Sequence, residues 1–159
     1  MNALPTLAPH RLSIALLQPQ IAPNTGNIAR LCVATGTNLH LVRPMGFVLG
    51  DRQLKRSAMD YWPRLRLTVH DDTEAFLATM KEVRLIPFTS KATRSYWDME
   101  RRDGDCLVFG SETTGLPASL VERHAETAVR IPQMPQERCL NLSTSVGIGL
   151  YGWLATLHV

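Results

Sequence analysis

Three loops of the sequence carry polar side chains that can position a ligand or stabilise a developing charge. They are PNTGNIAR (23–30), FGSETTGLP (109–117) and RIPQMPQERCLNLSTS (130–145). A guanidinium can bind a phosphate or an oxyanion, and amides, hydroxyls and a carboxylate held together can orient a reacting group. The polar residues concerned are Asn24, Arg30, Glu112, Asn141 and Ser143.

Each loop also has a purely structural interpretation. Asn24 or Thr25 can cap the helix that follows the first loop, and Glu112 can complement a helix dipole. A lone arginine on a helix, such as Arg30, is usually solvated. Of the four small polar residues within 141–145, one must cap the last helix, and the surplus indicates a polar pocket at the helix start.

Two nucleotide-binding classes lack their motifs. Gly110 and Gly115 have the spacing of a phosphate loop, but Leu116 and Pro117 follow instead of Lys and Ser/Thr, which argues against an NTPase. No G-x-G-x-x-G occurs, so a nicotinamide dehydrogenase loses its main support.

Composition favours a single domain over 1–159, with 1–11 as a flexible N-terminal segment. The 159 residues are 45% hydrophobic with a net charge of +3, which permits a polyanionic partner. Three separated cysteines and five histidines lack ligand spacing, so no metal is expected. The first twelve residues hold two prolines and no apolar core, so no signal peptide is expected, and the last apolar run, about a dozen residues, is too short to span a membrane. We therefore predict a cytoplasmic protein.

Apolar strands alternate with helices, which predicts an α/β fold: a mostly parallel sheet with helices on both faces. Ligands of such sheets bind beyond the carboxyl ends of the strands. The predicted strands are 12–17, 39–44, 66–70, 84–90, 106–110 and 128–131. The predicted helices run from 24 or 25 to 36, over 51–59, 71–81 and 116–124, and from 141–145 to about 157, and 91–105 is a loop.

The three loops, in this order and at these separations, resemble the SPOUT superfamily of methyltransferases. They are most similar to its short tRNA (cytidine/uridine-34)-2'-O-methyltransferases, which modify the wobble nucleoside. PNTGNIARLCVATG with LHLVRPMGF resembles the first family motif, FGSETTGLP the second and RIPQMPQERCLNLSTSVGIGLY the third. Each motif alone is weak, but the three together, from about Leu12 to Tyr151, are specific.

The resemblance implies a SPOUT-type α/β fold with a C-terminal trefoil knot. It also implies that S-adenosyl-L-methionine is bound in the knot, that tRNA is the substrate, and that a homodimer shares the substrate site. By the same resemblance, the cofactor is held, mostly through backbone groups, by Phe88, Gly110, Ile131 and Cys139. The motif positions at the reactive end are Asn24, Arg30, Glu112, Asn141 and Ser143.

Arg30 is the candidate for stabilising the oxyanion or anchoring a phosphate. A guanidinium, with a pKa above about 12, releases its proton too reluctantly to be a good base. RNA contact is predicted from the basic helix, through Arg52, Lys55 and Arg56. Aromatic residues Tyr61 and Trp62 could stack, with Arg64, Arg94, Arg101 and Arg102 as weaker candidates. A solvated basic helix explains the same composition.

Some positions depart from the family pattern. Thr114 stands where many relatives carry arginine, Cys139 replaces a common serine, and Thr144-Ser145 replaces a frequent Asn-Ala. These departures leave the choice of RNA open. The alternatives are a SPOUT 2'-O-methyltransferase acting on another tRNA position or on rRNA, a non-catalytic RNA-binding domain, or Cys139 acting as a nucleophile with a distant base.

Overall fold

The fold is built on five short parallel strands. The computed structural model of the chain describes residues 6–157, apart from 51, 53, 55 and 57–59. The strands are β1 (Ser13–Leu17), β2 (Asn38–Val42), β3 (Leu67–His70), β4 (Leu85–Pro87) and β5 (Cys106–Phe109). They form one sheet in the order β3-β2-β1-β5-β4, and every pair is parallel.

The central strands are buried on both faces, which is why they read as continuous apolar runs. Every residue of β1 and β5 is buried. The register places Ile14 beside Leu39 on one neighbouring strand and beside Leu107 on the other. The chain adds β2 and β3 on one side of β1, then β4 and β5 on the other. This reversal opens a crevice beyond the carboxyl ends of β1 and β5.

Helices cover both faces of the sheet, which confirms the predicted fold class. The α-helices are α1 (Ala22–Thr35), α2 (Thr73–Thr79), α3 (Ala118–Arg123) and α4 (Leu142–Leu157), and 3-10 turns span Trp62–Arg64 and Tyr96–Asp98. On one face, Ile28 of α1 and Trp153 of α4 join the larger hydrophobic core. On the other, Phe76 of α2 and Leu120 of α3 join a second core.

The predicted strand over 128–131 was wrong. This segment forms only two isolated parallel bridges, from Val129 to Phe88 and from Arg130 to Ser95. Val129 pairs with the chain just after β4, and Arg130 pairs with the chain just before the 3-10 turn at Tyr96–Asp98. Each pairing involves a single residue of the segment, so neither continues as a ladder. Its backbone is still paired, because Val129 N donates to Pro87 O at 2.8 Å and Arg130 N donates to Arg94 O at 2.9 Å.

The predicted cap of α1 was also wrong. Asn24 and Thr25 lie inside the helix, which begins at Ala22 after Ile21, and Ile21 makes no side-chain capping bond. The helix ends as predicted, at Gly36 in the left-handed conformation with φ 73°. The basic helix predicted over 51–59 is described only at Arg52, Leu54 and Arg56, whose backbone is helical.

Glycines of α4 fit against aromatic rings rather than against another backbone. A Cβ at Gly149 would lie 3.0 Å from the Phe88 ring, and one at Gly152 would lie 2.9 Å from the Tyr96 ring. Two rings from the segment between β4 and β5 therefore pack directly on the helix. Within the described part of the chain, no helix is long and apolar enough to cross a membrane.

A histidine pair at the β2–β3 edge makes stability depend on pH. His40 Nδ1 lies 3.0 Å from His70 Nε2, and the Phe76 ring packs edge-on against His70. Burial, together with the nearby His70, lowers the pKa of His40 from 6.5 to about 4, and burial lowers the pKa of His70. The folded state therefore favours neutral rings, so their contribution is complete above the unfolded pKa, roughly 6.5.

We expect this contribution to be lost as the pH falls below 6.5 towards 4. Between pH 7.5 and pH 5, the free energy of unfolding from urea titrations should fall by about 2 kcal/mol, allowing for partial solvent screening. His40→Gln should remove most of that dependence, whereas His10→Gln, at a ring bonded to Thr35 O, should retain it. An unchanged pH dependence in His40→Gln would contradict this origin.

Candidate active site

A chain of hydrogen bonds joins the three polar loops beyond the carboxyl ends of the strands. Asn24 Nδ2 donates to Glu112 Oε1 at 3.2 Å, and Asn24 Oδ1 accepts from Asn141 Nδ2 at 3.0 Å. Asn141 Oδ1 in turn accepts from the Ser143 hydroxyl at 2.6 Å. Asn24 is thus bonded to two side chains that are 88 and 117 residues away in the sequence. Each of the two amides uses its nitrogen as a donor and its oxygen as an acceptor.

Glu112 supplies the acceptor that the start of α1 lacks. Its carboxylate accepts from Gln20 N at 2.7 Å and from Ile21 N at 3.2 Å, besides the Asn24 amide. Both backbone groups precede the helix, and a carboxylate there complements the positive end of its dipole. The start of α1 is therefore capped by a residue 92 positions away from Gln20, and no local sequence pattern could indicate this.

Asn141 caps α4 and positions the third loop at the same time. Its Oδ1 accepts from Ser143 N at 2.8 Å and from Thr144 N at 3.4 Å. The opposite end of the amide bonds Asn24 on α1. The start of α4 is therefore tied to the start of α1.

A cavity of about 510 Å³ opens beside this network. Its volume lies within the range that holds cofactors and small ligands, and both its polar and its apolar walls suit such ligands. Seven of the predicted site residues line it: Asn24, Phe88, Gly110, Glu112, Ile131, Cys139 and Asn141. The structure therefore brings together all four residues predicted to hold a cofactor and three of the five predicted at the reactive end.

One wall of the cavity depends on the absence of a side chain at Gly110. A Cβ there would lie 2.2 Å from the carbonyl carbon of Gly115 and 2.3 Å from Leu116 N. The loop folds back on itself at this point, with an antiparallel bridge between Ser111 and Gly115. Only glycine allows the two backbones to approach so closely.

Aromatic packing fixes the base of the cavity. The rings of Phe88 and Phe109 stack with centroids 4.7 Å apart, and both residues line the cavity. The Phe88 ring also packs on Trp153 of α4 at 5.8 Å. The Phe88 ring therefore contributes to the cavity, whereas the resemblance implied that cofactor contacts are made mostly through backbone groups.

Arg30 and Ser143 do not line the cavity. Ser143 stays connected to it through its bond to Asn141. Arg30 is exposed on α1, six residues beyond Asn24 and therefore about 9 Å further along the helix. Its charge acts on Tyr61: burial raises the pKa of that phenol, and the nearby guanidinium opposes the rise. The Tyr61 hydroxyl donates to Gly26 O of α1 at 3.1 Å.

The predicted RNA-binding residues differ in their surroundings. Arg52 and Arg56 are exposed, and Lys55 lies outside the described residues. Arg101 is used internally, because its guanidinium lies over the rings of Tyr96 and Trp153 at 5.8 and 5.5 Å. Arg102 pairs with a neighbouring glutamate, and the Arg94 guanidinium donates to a main-chain oxygen.

The sequence did not identify several cavity residues individually, although it identified their loops. Chief among them is Lys91, the one lysine or arginine among the described residues that line the cavity. No histidine lies among those residues, so Cys139 has no partnering base there. The described residues also contain no cluster of three or more His, Cys, Asp or Glu side chains able to hold a metal. The signal that could have indicated Lys91 is its place directly after the predicted strand 84–90, where a ligand of a parallel sheet is expected.

Comparisons with known proteins agree with this geometry. Residues 11–151 match the SpoU rRNA Methylase family. The chain belongs to the SpoU methylase family. A tRNA (cytidine(34)-2'-O)-methyltransferase of Escherichia coli (strain K12) is 45% identical over 141 residues, which are 88% of this chain and 90% of the relative.

Solved structures of SpoU methylases and their relatives share the fold. A structure described as giving insights into the 2-OH methylation of C/U34 on tRNA superposes with a TM-score of 0.90 at 39% identity, covering 95% of this chain and 99% of that one. A SpoU methyltransferase from Streptomyces viridochromogenes, solved with the cofactor AdoMet, has a TM-score of 0.83 at 18% identity, covering 94% and 58%. The second likeness shows the fold alone. The family resemblance seen in the sequence is confirmed.

Proposed function

We propose that the protein transfers a methyl group from S-adenosyl-L-methionine to the ribose 2'-hydroxyl of the wobble nucleotide, C or U at position 34, of tRNA. The relative at 45% identity is named a tRNA (cytidine(34)-2'-O)-methyltransferase, and its match covers 88% of this chain. The solved structure at 39% identity is described as concerning C/U34 on tRNA. The structural observation that carries the proposal is the network from Glu112 through Asn24 to Asn141, because it joins three loops around one cavity.

The cavity fits the cofactor. Two aromatic rings line it, its glycine loop has no side chain at Gly110 or Gly115, and the Asn24–Asn141 pair supplies polar groups. Apolar walls with a few placed polar groups are typical of cofactor sites. In this proposal, Phe88, Gly110, Ile131 and Cys139 hold S-adenosyl-L-methionine, which when bound supplies an electrophilic methyl group on its sulfonium.

The residues of the chain contribute mainly position and charge. A ribose hydroxyl is a weak nucleophile, so placing it about 3 Å from the methyl group and in line is the largest available effect. Glu112, Asn24 and Asn141 fix one another, and Ser143 is held by Asn141, so this end of the cavity is preorganised. The 2'-oxygen forms a bond to the methyl group as the S–CH3 bond breaks, S-adenosyl-L-homocysteine leaves with a neutral sulfur, and the hydroxyl proton passes to solvent water. Arg30 stabilises the negative charge that develops on the 2'-oxygen, or anchors the adjacent phosphate.

The exposed face of α4 supports the proposed homodimer. Tyr151, on the middle turn of the helix, is 51% exposed although the helix carries no charged residue. Thr144 and Ala155 continue the same exposed stripe at helical spacing. Because Arg30 lies outside the cavity of its own chain, we propose that it acts on a ribose bound between two chains. We also propose that the chain at α4 is threaded through a loop to form the trefoil knot.

The substrate assignment rests on the relatives and on the basic helix. Arg52, Lys55 and Arg56 are proposed to contact the tRNA backbone, and the reaction is proposed to occur in the cytoplasm. Incubating the protein with methyl-labelled S-adenosyl-L-methionine and anticodon stem-loops should place label on the 2'-oxygen of nucleotide 34. A 2'-deoxy nucleotide at that position should abolish labelling. Label on a base would contradict the proposal.

The role of Arg30 is tested by comparing a substitution that removes its charge with one that keeps it. Arg30→Gln should lower the single-turnover rate constant of methyl transfer by about 100-fold, as expected when one stabilising donor is lost, whereas Arg30→Lys should remain within tenfold of the wild type. Single-turnover rates with saturating RNA measure the difference. Arg123→Gln, at an exposed arginine of α3, is the matched control and should be unaffected. Equal losses in Arg30→Lys and Arg30→Gln would show that geometry or base chemistry matters instead of charge.

A further inference from the structure

An exposed tryptophan lies on the segment that leaves the cavity. Trp97 is 64% exposed, whereas Trp153 is fully buried in the core. The Trp97 backbone is fixed, because its N–H donates to the Ser95 hydroxyl at 3.2 Å and the residue lies in a 3-10 turn. The indole of Trp97 has most of its surface in solvent, and its ring centroid lies 6.0 Å from that of Tyr96. An accessible aromatic face on a fixed backbone can stack on a nucleobase.

Arg130 emerges from the chain that pairs with this segment. Tyr96 N donates to Arg130 O at 2.9 Å, and the bridge pairs Ser95 with Arg130. Side chains alternate along an extended segment, and Val129 points into the core, so Arg130 points to solvent. Arg130 therefore lies on the same outer side as Ser95, whose hydroxyl holds the Trp97 backbone.

Both segments run directly into the cavity wall. Lys91 lines the cavity on one segment, and Ile131, next to Arg130, lines it on the other. Neither Lys91 nor Arg130 forms an ion pair with any carboxylate among the described residues. One acidic residue, Asp98, follows Trp97, so the two cations leave this surface with a net positive charge.

We propose that Lys91, Trp97 and Arg130, which we name the rim surface, bind single-stranded nucleotides that flank the reacting ribose. Trp97 stacks on a base, and the two cations contact phosphates. The inference rests on the proposed function, because it places the rest of the RNA loop beside the cavity that takes the ribose. Stacking on an aromatic residue next to cationic side chains is how proteins bind unpaired RNA without reading a duplex.

The test is binding of a fluorescently labelled anticodon stem-loop RNA, followed by anisotropy. Trp97→Ala should weaken binding about tenfold, and Trp97→Phe should recover most of the loss because a ring remains. Since the residue is largely exposed, both variants should fold, and unchanged thermal midpoints would verify this. Affinity for S-adenosyl-L-methionine, measured by calorimetry, should stay at the wild-type value in both.

The salt dependence of binding separates stacking from charge. Lys91→Gln and Arg130→Gln should each reduce the slope of log affinity against log salt concentration by about 0.7, the value for one phosphate contact on a single strand. Trp97→Ala should leave the slope unchanged. Lys81→Gln and Arg123→Gln, at exposed cations elsewhere, are matched controls that should change neither affinity nor slope.

Tryptophan fluorescence gives a second readout. Bound RNA should protect the Trp97 indole from acrylamide, so the RNA-dependent protection should be smaller in Trp97→Ala, in which only the partly buried Trp62 and the buried Trp153 remain. If the wild type binds and methylates the stem-loop while all three rim variants bind it normally, the rim surface is not an RNA site and only this inference fails. If Trp97→Ala changes the oligomeric state but not the RNA affinity, the surface is an interface between copies and the inference is also overturned. If the wild type neither binds nor methylates the RNA, the proposed function itself fails.

Discussion

Gly110→Ala is expected to weaken the binding of S-adenosyl-L-methionine about 100-fold while the sheet stays folded. The added methyl group would lie 2.2 Å from the Gly115 carbonyl carbon and 2.5 Å from its oxygen, so the contact is with backbone that no rotamer change can relieve. The loop after β5 must therefore open, and that loop carries Glu112 and forms one wall of the cavity. Calorimetry with the cofactor measures the loss directly.

The effect should be local, because Gly110 lies at the end of β5 and not within the core. Far-UV circular dichroism should be unchanged, and the thermal midpoint should fall by only a few degrees. Ser119→Ala, an equally small change on the exposed side of α3 just beyond the same loop, is the control and should bind the cofactor normally. Wild-type affinity in Gly110→Ala would show that this loop is not part of the cofactor site.

Much of the fold could be predicted from the sequence because its strands are continuous apolar runs. LSIALL and CLVFG predicted β1 and β5, and a parallel sheet directs attention to the loops that follow such strands. The segment AVRI is also mostly apolar, apart from Arg130, yet it forms only two single bridges. Its structure depends on the two segments beside it, each of which pairs with it at one residue only. Local sequence does not show which segments will lie beside it.

The site was predictable by loop but not by contact. Asn24, Glu112 and Asn141 were candidates from residue type and from the family resemblance, and all three line the cavity. Their individual roles were not predictable: Glu112 satisfies backbone groups near α1 rather than near α3, and Asn24 lies inside its helix instead of capping it. Such roles depend on which loops meet, and the loops meet only through the complete topology.

Asp105→Asn is expected to lower the free energy of unfolding by about 3 kcal/mol. The carboxylate is 2% exposed and accepts from Arg84 Nε at 2.8 Å, from Arg84 Nη2 at 2.7 Å and from Trp153 Nε1 at 2.7 Å. Arg102 N donates to the same group at 2.9 Å. An amide in its place turns one acceptor into a donor that faces other donors, and leaves a partly buried guanidinium without its counter-charge. Urea titrations at neutral pH measure the change.

A surface aspartate two residues away provides the control for this prediction. Asp103 pairs with Arg11 at 3.0 Å, but the Arg11 side chain is 80% exposed, so Asp103→Asn should cost less than about 1 kcal/mol. Adding Arg84→Gln to Asp105→Asn should restore part of the lost stability, since no unpaired charge then remains.

Asp105 also connects stability to the proposed site. Its bond to Trp153 anchors α4 to the amino-terminal edge of the sheet, while Asn141 at the start of the same helix joins the network at the opposite edge. A helix released at one end should position Asn141 less firmly, so Asp105→Asn should weaken cofactor binding although it lies outside the cavity. If the variant loses stability but retains full cofactor affinity at a temperature where it is folded, the start of α4 is held by the Asn24–Asn141 bond and its local packing alone.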